Sequence, residues 1–192
     1  MGIDALVRSA VTADDVAIAH LHVDGWRDSY RGIIPDGFLD SPLLEERLPT
    51  WRRMLADPPQ GRLVLVAEAV PKAEGENTLL GFVSGGPERK PNLGFDAEIY
   101  AIYIAAAARR QRIGLRLVIA AVTRLQLFGH TSVMLWTLQD NARARGFSER
   151  LGGRPLGERQ ERFGGAMLTE VAYGWPSLER LLETCYDQLA VP

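Results

Sequence analysis

The chain has 192 residues, 46% of them hydrophobic and 24% charged, with a formal net charge of −2 at pH 7. That length suits one domain with a substantial core, and that charge argues against a dedicated nucleic-acid binder, which is normally basic. The single cysteine, Cys185, excludes an intrachain disulfide and fits the reducing cytoplasm, and MGIDALVRSA lacks the apolar core of a signal peptide. No apolar run approaches membrane-spanning length. The expectation is one cytoplasmic domain over residues 1–192.

Taken in order, Val7 to Ala10 reads as a first strand, with Thr12 capping a helix over Ala13 to Tyr30. His20 and His22 are two apart on that helix, so they diverge and cannot share a metal. Trp26 and Tyr30 are spaced i, i+4 and share a face, as a core pair or as the aromatic wall of a pocket. The chain turns at Pro35. A second helix covers Leu43 to Leu55, with Leu44, Leu48, Trp51 and Leu55 in register, and Pro58-Pro59 stops it. Arg62 to Ala69 and Leu79 to Ser84 read as strands around a polar hairpin tip, Pro71 to Asn77. Ser84 is no hydrolase nucleophile, because GxSxG needs glycine where Phe82 stands. A loop, Pro87 to Phe95, leads to the apolar-aromatic strand Glu98 to Ile104.

A basic loop follows, Arg109, Arg110, Gln111, Arg112, Ile113 and Gly114. It opens a helix whose Leu115, Val118, Ile119, Val122 and Leu125 share a face, with Gly129 as its C-cap. A helix N-terminus offers unpaired N–H groups and a positive dipole end, and arginines add charge-assisted hydrogen bonds, so this is a phosphate-binding turn. It is not a Walker A loop, and it lacks the glycines of a dinucleotide-binding turn. Thr131 to Leu138 is the next strand, followed by QDNARARGFSERLGG. Arg154 to Arg162 and Ala166 to Trp175 form a last hairpin, and Ser177 caps a final helix ending at Leu189.

The strand EIYAIYI and the loop AAAARRQRIG resemble motif A of the GCN5-related N-acetyltransferases, Q/R-x-x-G-x-G/A after a hydrophobic strand. Arg109 fills the first position and Gly114 the last, while Arg112 stands where glycine is usual. Asn141, Ala144, Phe147 and the terminal Gly-Gly match the family's second segment, with Ser148 in place of its usual tyrosine. WRDSYRG resembles one bacterial branch in which this region covers the acceptor. The likeness is strong from Glu98 to Gly153 and looser at the ends.

The resemblance implies an α/β fold, a mixed, mostly antiparallel sheet of six to seven strands flanked by helices. It implies acetyl-CoA as cosubstrate, no metal, and an amine acceptor: a small molecule or a peptide amino group. A homodimer is left open; nucleic acid and membrane are not expected partners. Coenzyme contacts fall to Arg109, Arg110, Gln111, Arg112, Ile113, Gly114 and Leu115, to the backbone of Ile102, Tyr103 and Ile104, and to Asn141. Trp26 and Tyr30 fall to the acceptor. A protonated amine cannot attack, so a base is needed. Glu98, the acid opening an apolar strand, is the candidate, its pKa expected to rise with partial burial; Asp96 and Glu170 are weaker ones. Ser148, a poor acid, would hydrogen-bond the leaving sulfur, with Tyr103 and Tyr173 as other donors. A thiol pKa of about 8.5 lets thiolate leave nearly unaided. The rival is a degenerate, CoA-binding sensor of the same fold.

Overall fold

The computed structural model describes residues 4–70, 78–90 and 93–191. The strands are β1 (Ala5–Ser9), β2 (Leu63–Ala69), β3 (Leu79–Pro87), β4 (Ala97–Ile104), β5 (Val133–Leu138), β6 (Arg154–Phe163) and β7 (Ala166–Trp175). They form one seven-stranded sheet in the order β1-β2-β3-β4-β5-β7-β6. Neighbours are antiparallel except β4 and β5. That pair is parallel because helix α4 (Ile113–Leu127) carries the chain back between them. The expected α/β fold with a mixed sheet is the observed one.

Alternation along β2 sorts its side chains between two layers. Leu63, Leu65 and Ala67 pack with α4 and α6 (Leu178–Ala190), whereas Val64 and Val66 pack with α1 (Asp15–Tyr30) and α3 (Leu43–Ala56). Leu117 and Leu125 of α4 are fully buried, and each such leucine contributes about 2 kcal/mol of transfer free energy. Cys185 lies in the same core, its thiol pushed up to about 12 by burial; it is a packing residue.

Two local expectations give way. Thr12 is not a cap, since Thr12–Asp14 is a 3-10 turn. The Asp14 carboxylate accepts instead from the Val11 N–H at 2.8 Å and from Arg8 at 2.7 Å. An ionised carboxylate is the stronger acceptor. The one-turn helix α2 (Asp36–Leu39) follows Pro35 and is too short to leave a periodic signal. Ser177 caps α6 as expected, accepting from the Arg180 N–H. The expected hairpin tip at Pro71 to Asn77 lies outside the described residues.

The site is set by how β4 leaves β5. The two strands pair only at Ala97↔Val133, Glu98↔Met134 and Ile99↔Leu135. On its other edge β4 changes register against β3: Ser84 faces Ala101 and Gly85 faces Ile99, leaving Tyr100 as a bulge. A bulge bends its strand, and this one falls where the ladder to β5 ends. From there the strands part around a cleft.

Candidate active site

The cleft has a volume of about 1490 Å³ and takes in the parted strands, the start of α4, α5 (Ala142–Arg150) and an aromatic cluster beneath α1. Its closed end is pinned by Asp96. Both Asp96 oxygens are used, accepting from the N–H and hydroxyl of Thr131 (2.8 and 2.9 Å) and of Ser132 (2.9 and 2.9 Å). Burial pushes this carboxyl up, but the four hydrogen bonds together outweigh it and hold the pKa down at about 2. Asp96 thus clamps the start of β4 to the segment that leads into β5.

Glu98 comes next and is 2% exposed. Sequence suggests a carboxylate alone in an apolar strand, but here it has company. Arg89, from the loop after β3, grips it through Nε at 3.1 Å to each oxygen and through Nη2, while the Arg89 N–H donates to Oε2 at 3.1 Å. The hydrogen bond to Glu98 in turn raises the pKa of Arg89. Glu170 is likewise held by Arg159, at 2.7 Å.

Ile102, Tyr103 and Ile104 pair with Val83, Phe82 and Gly81 of β3 on one edge. On the other edge they lie beyond the β5 ladder, so main-chain groups there face the cleft. The basic turn follows. Arg110 and Arg112 both have left-handed backbones, φ 59° and 62°, at a cost of roughly 1–2 kcal/mol for each non-glycine residue. The position where the family usually has glycine therefore keeps the conformation glycine favours. Arg112 is the N-cap of α4 and offers no side-chain cap. The first-turn N–H groups of α4, from Ile113 to Leu115, are left for a ligand. The virtual Cβ of Gly114 would stand 3.6 Å from Phe147 of α5, so this glycine lies where the two helices face each other.

The arginine side chains do not all turn to the cleft. Arg109 pairs with Asp28 of α1 at 2.6 Å, and Arg143 reaches the same carboxylate at 3.0 Å. Arg112 donates to the Leu189 carbonyl at 2.6 Å and to that of Val191, at the C-terminus of α6. There the cation meets the negative end of the helix dipole. Arg116 donates to the Ala5 carbonyl. Arg110 has no ion pair or hydrogen bond among the described residues. The turn thus offers backbone N–H groups and one uncommitted guanidinium, fewer free cations than the sequence suggests.

On α5, Asn141 caps the helix by accepting from the Ala144 N–H at 3.1 Å. Ser148 is buried and its hydroxyl donates to the Ala144 carbonyl at 3.1 Å. The Tyr173 hydroxyl donates to Glu149 and accepts from Arg145, and Tyr173 does not line the cleft. The Tyr103 hydroxyl lies 3.1 Å from that of Tyr30. Burial raises the pKa of both, so both are neutral proton-carrying phenols at pH 7.

Trp26 and Tyr30 pack edge to face at 5.5 Å, and Phe38 and Phe163 flank Trp26, each at 6.1 Å. Tyr103 fits under α1 only because residue 25 is glycine: a Cβ there would stand 2.4 Å from the ring. His22 accepts from Trp51 Nε1 at 3.1 Å, and burial, helped by the charge of Arg47, pushes its pKa down to about 3. Arg47, on α3, lies over the Trp26 ring, 5.0 Å from its centroid. Sequence reasoning missed Arg89, Asp28 and Arg47. Arg89 and Asp28 leave no local signal, because their partners are set by tertiary contacts. Arg47 does leave one, four residues before Trp51 on the same helix face.

The parted parallel strand pair opens onto an uncapped helix N-terminus, which favours an anionic ligand. The profile of the Acetyltransferase (GNAT) family matches residues 23–153. An uncharacterized N-acetyltransferase, YuaI, of Bacillus subtilis is 32% identical over 176 residues, covering 91% of this chain and 95% of that one. Among solved structures, the PaiA N-acetyltransferase of Thermoplasma acidophilum, in complex with coenzyme A, is similar with a TM-score of 0.62. It is 18% identical and covers 90% of this chain and 100% of its own. The putative acetyltransferase yncA of Salmonella typhimurium, with its cofactor acetyl-CoA, gives 0.63 at 20% identity, covering 91% and 94%. The chain belongs to the GNAT family of acetyltransferases.

Proposed function

We propose that the protein transfers an acetyl group from acetyl-CoA directly to the amino group of a small molecule or a peptide. The observation that carries this is the parting of β4 from β5 beside the uncapped start of α4. The pantetheine arm would lie along the free edge of Ile102 to Ile104, whose N–H groups can also polarise the acetyl carbonyl. The pyrophosphate would meet the N–H groups of Arg109 to Leu115, and the amine would enter past Trp26 and Tyr30. Glu98 would take the amine proton, directly or through water, once Arg89 yields part of its grip. Ser148 would at most hold a water near the leaving sulfur, since its proton already points to Ala144.

That last contact, with the Arg89–Glu98 pair, favours a second reading: a protein that binds the coenzyme without turnover. Two measurements separate the readings. Acetyl-CoA at a hundredfold its dissociation constant should stabilise the fold by about 2.7 kcal/mol. Free thiol should then appear when a panel of amines is added. Stabilisation without thiol release selects the second reading, and no stabilisation removes both.

A further inference from the structure

Beneath α1, the aromatic end of the cleft holds a cation that has no counter-ion among the described residues. Arg47 is half-buried and stacked on Trp26, with His22, Trp51 and Tyr103 around it. Four other arginines of the cleft have acidic partners, Arg89 with Glu98, Arg159 with Glu170, and Arg109 and Arg143 with Asp28, while Arg110 at the basic turn, like Arg47, has none among the described residues. Among the described residues no carboxylate pairs with Arg47. Its charge is nevertheless felt nearby. After burial, it is the second cause of the lowered pKa of His22, and it also acts on the Tyr103 hydroxyl. His22 is therefore neutral at pH 7, with Nδ1 occupied by Trp51, and adds no charge of its own.

A guanidinium laid on an indole keeps its planar fork of donors at the ring edge, and that fork matches a carboxylate in two parallel hydrogen bonds. The surrounding rings lower the local dielectric and strengthen such a bond. They also leave apolar surface for a side chain, on Trp26, Phe38 and Phe163. We propose that Arg47, stacked on Trp26, is the carboxylate-binding group of the acceptor site, and that the acceptor is a small amine bearing a carboxylate and an apolar side chain, as in a free amino acid. This rests on the acetyl-transfer reading for the amine, but the subsite can be tested by binding alone.

The probes are N-acetyl-L-phenylalanine and its uncharged carboxamide, titrated into the protein with coenzyme A present. The acid should bind at least about tenfold more tightly, a difference of about 1.4 kcal/mol. Arg47→Gln should bring that ratio within about twofold, and Arg47→Lys should keep part of it. Equal binding of acid and carboxamide to the parent protein overturns the inference, as does no binding of the acid. A preference that survives Arg47→Gln overturns it too. Thiol release from L-phenylalanine and L-phenylalaninamide is read separately. An acid preference without release of thiol from either amine supports the subsite and fails the transfer reading.

Discussion

At one end of the β4–β5 pair, Asp96 gathers four hydrogen bonds from Thr131 and Ser132, and three residue pairs form a parallel ladder. At the other end β4 runs on from Tyr100 to Ile104 with no ladder to β5. The strands are the same, and apart from Glu98 the sequence of β4 is apolar and aromatic. What differs is who satisfies the polar groups. At the closed end distant parts of the chain do so. At the open end the backbone groups and the first turn of α4 are left to a ligand. The bulge at Tyr100 divides the two regimes.

The largest expected effect comes from filling the open end. Gly114→Ala should be tolerated, because a Cβ there meets Phe147 at an ordinary 3.6 Å. Gly114→Trp should fill the groove between α4 and α5. The variant should fold, yet lose essentially all of the roughly 2.7 kcal/mol stabilisation that saturating acetyl-CoA gives the parent. An undiminished thermal shift would mean that the coenzyme does not lie in the parted strands.

Glu98 sits within the closed ladder, one pair before it ends. Glu98→Gln should lower kcat/KM by roughly 10²–10³ at pH 7, and the defect should shrink as pH rises and the free amine becomes abundant. Ser148→Ala, which removes only a hydroxyl already bonded to Ala144, should cost about tenfold or less, roughly 1.4 kcal/mol. The check is the pH–rate profile of both variants with one confirmed acceptor. The reverse order would hand the proton chemistry to α5.

The smallest effect belongs to the closed end and should appear in stability. The Asp96 carboxyl has a folded pKa of about 2, below an unfolded value of about 3.9. A depressed carboxyl stabilises the fold above its unfolded pKa, and that stability is lost as pH falls through the folded one. The full shift would amount to about 2.6 kcal/mol, but the side chain is 40% exposed, so screening leaves about 1 kcal/mol. Denaturant unfolding of Asp96→Asn should show that deficit at pH 7 and little of it near pH 2. A pH-independent deficit would mean that the clamp works by shape and not by charge.

The open end was more legible in the sequence than the closed one. Strand Glu98 to Ile104, the arginine-rich turn and the apolar face of α4 lie within one stretch, and periodicity alone assigns them. The register that ends at Ile99, and the clamp from Asp96 to Thr131 and Ser132, join residues across a helix, and no local pattern encodes that. Glu98 stood out because an acid in an apolar strand is costly unless paired. Its partner Arg89 did not, because it is one of many loop arginines. Arg112 was visible as a departure, and the structure supplies what the sequence lacked: the direction of its side chain.

The C-terminal turn of α6 holds the Arg112 guanidinium through the Leu189 and Val191 carbonyls, and its Gln188 donates to the Arg150 carbonyl at the end of α5. One turn of helix thus touches both the basic turn before α4 and the end of α5. A glycine at 112 would leave the loop and α6 free to drift apart over evolution. With arginine there, a substitution near residue 189 alters the setting of a loop it does not belong to. The two segments should therefore change together across relatives that carry arginine at this position and independently in those that carry glycine.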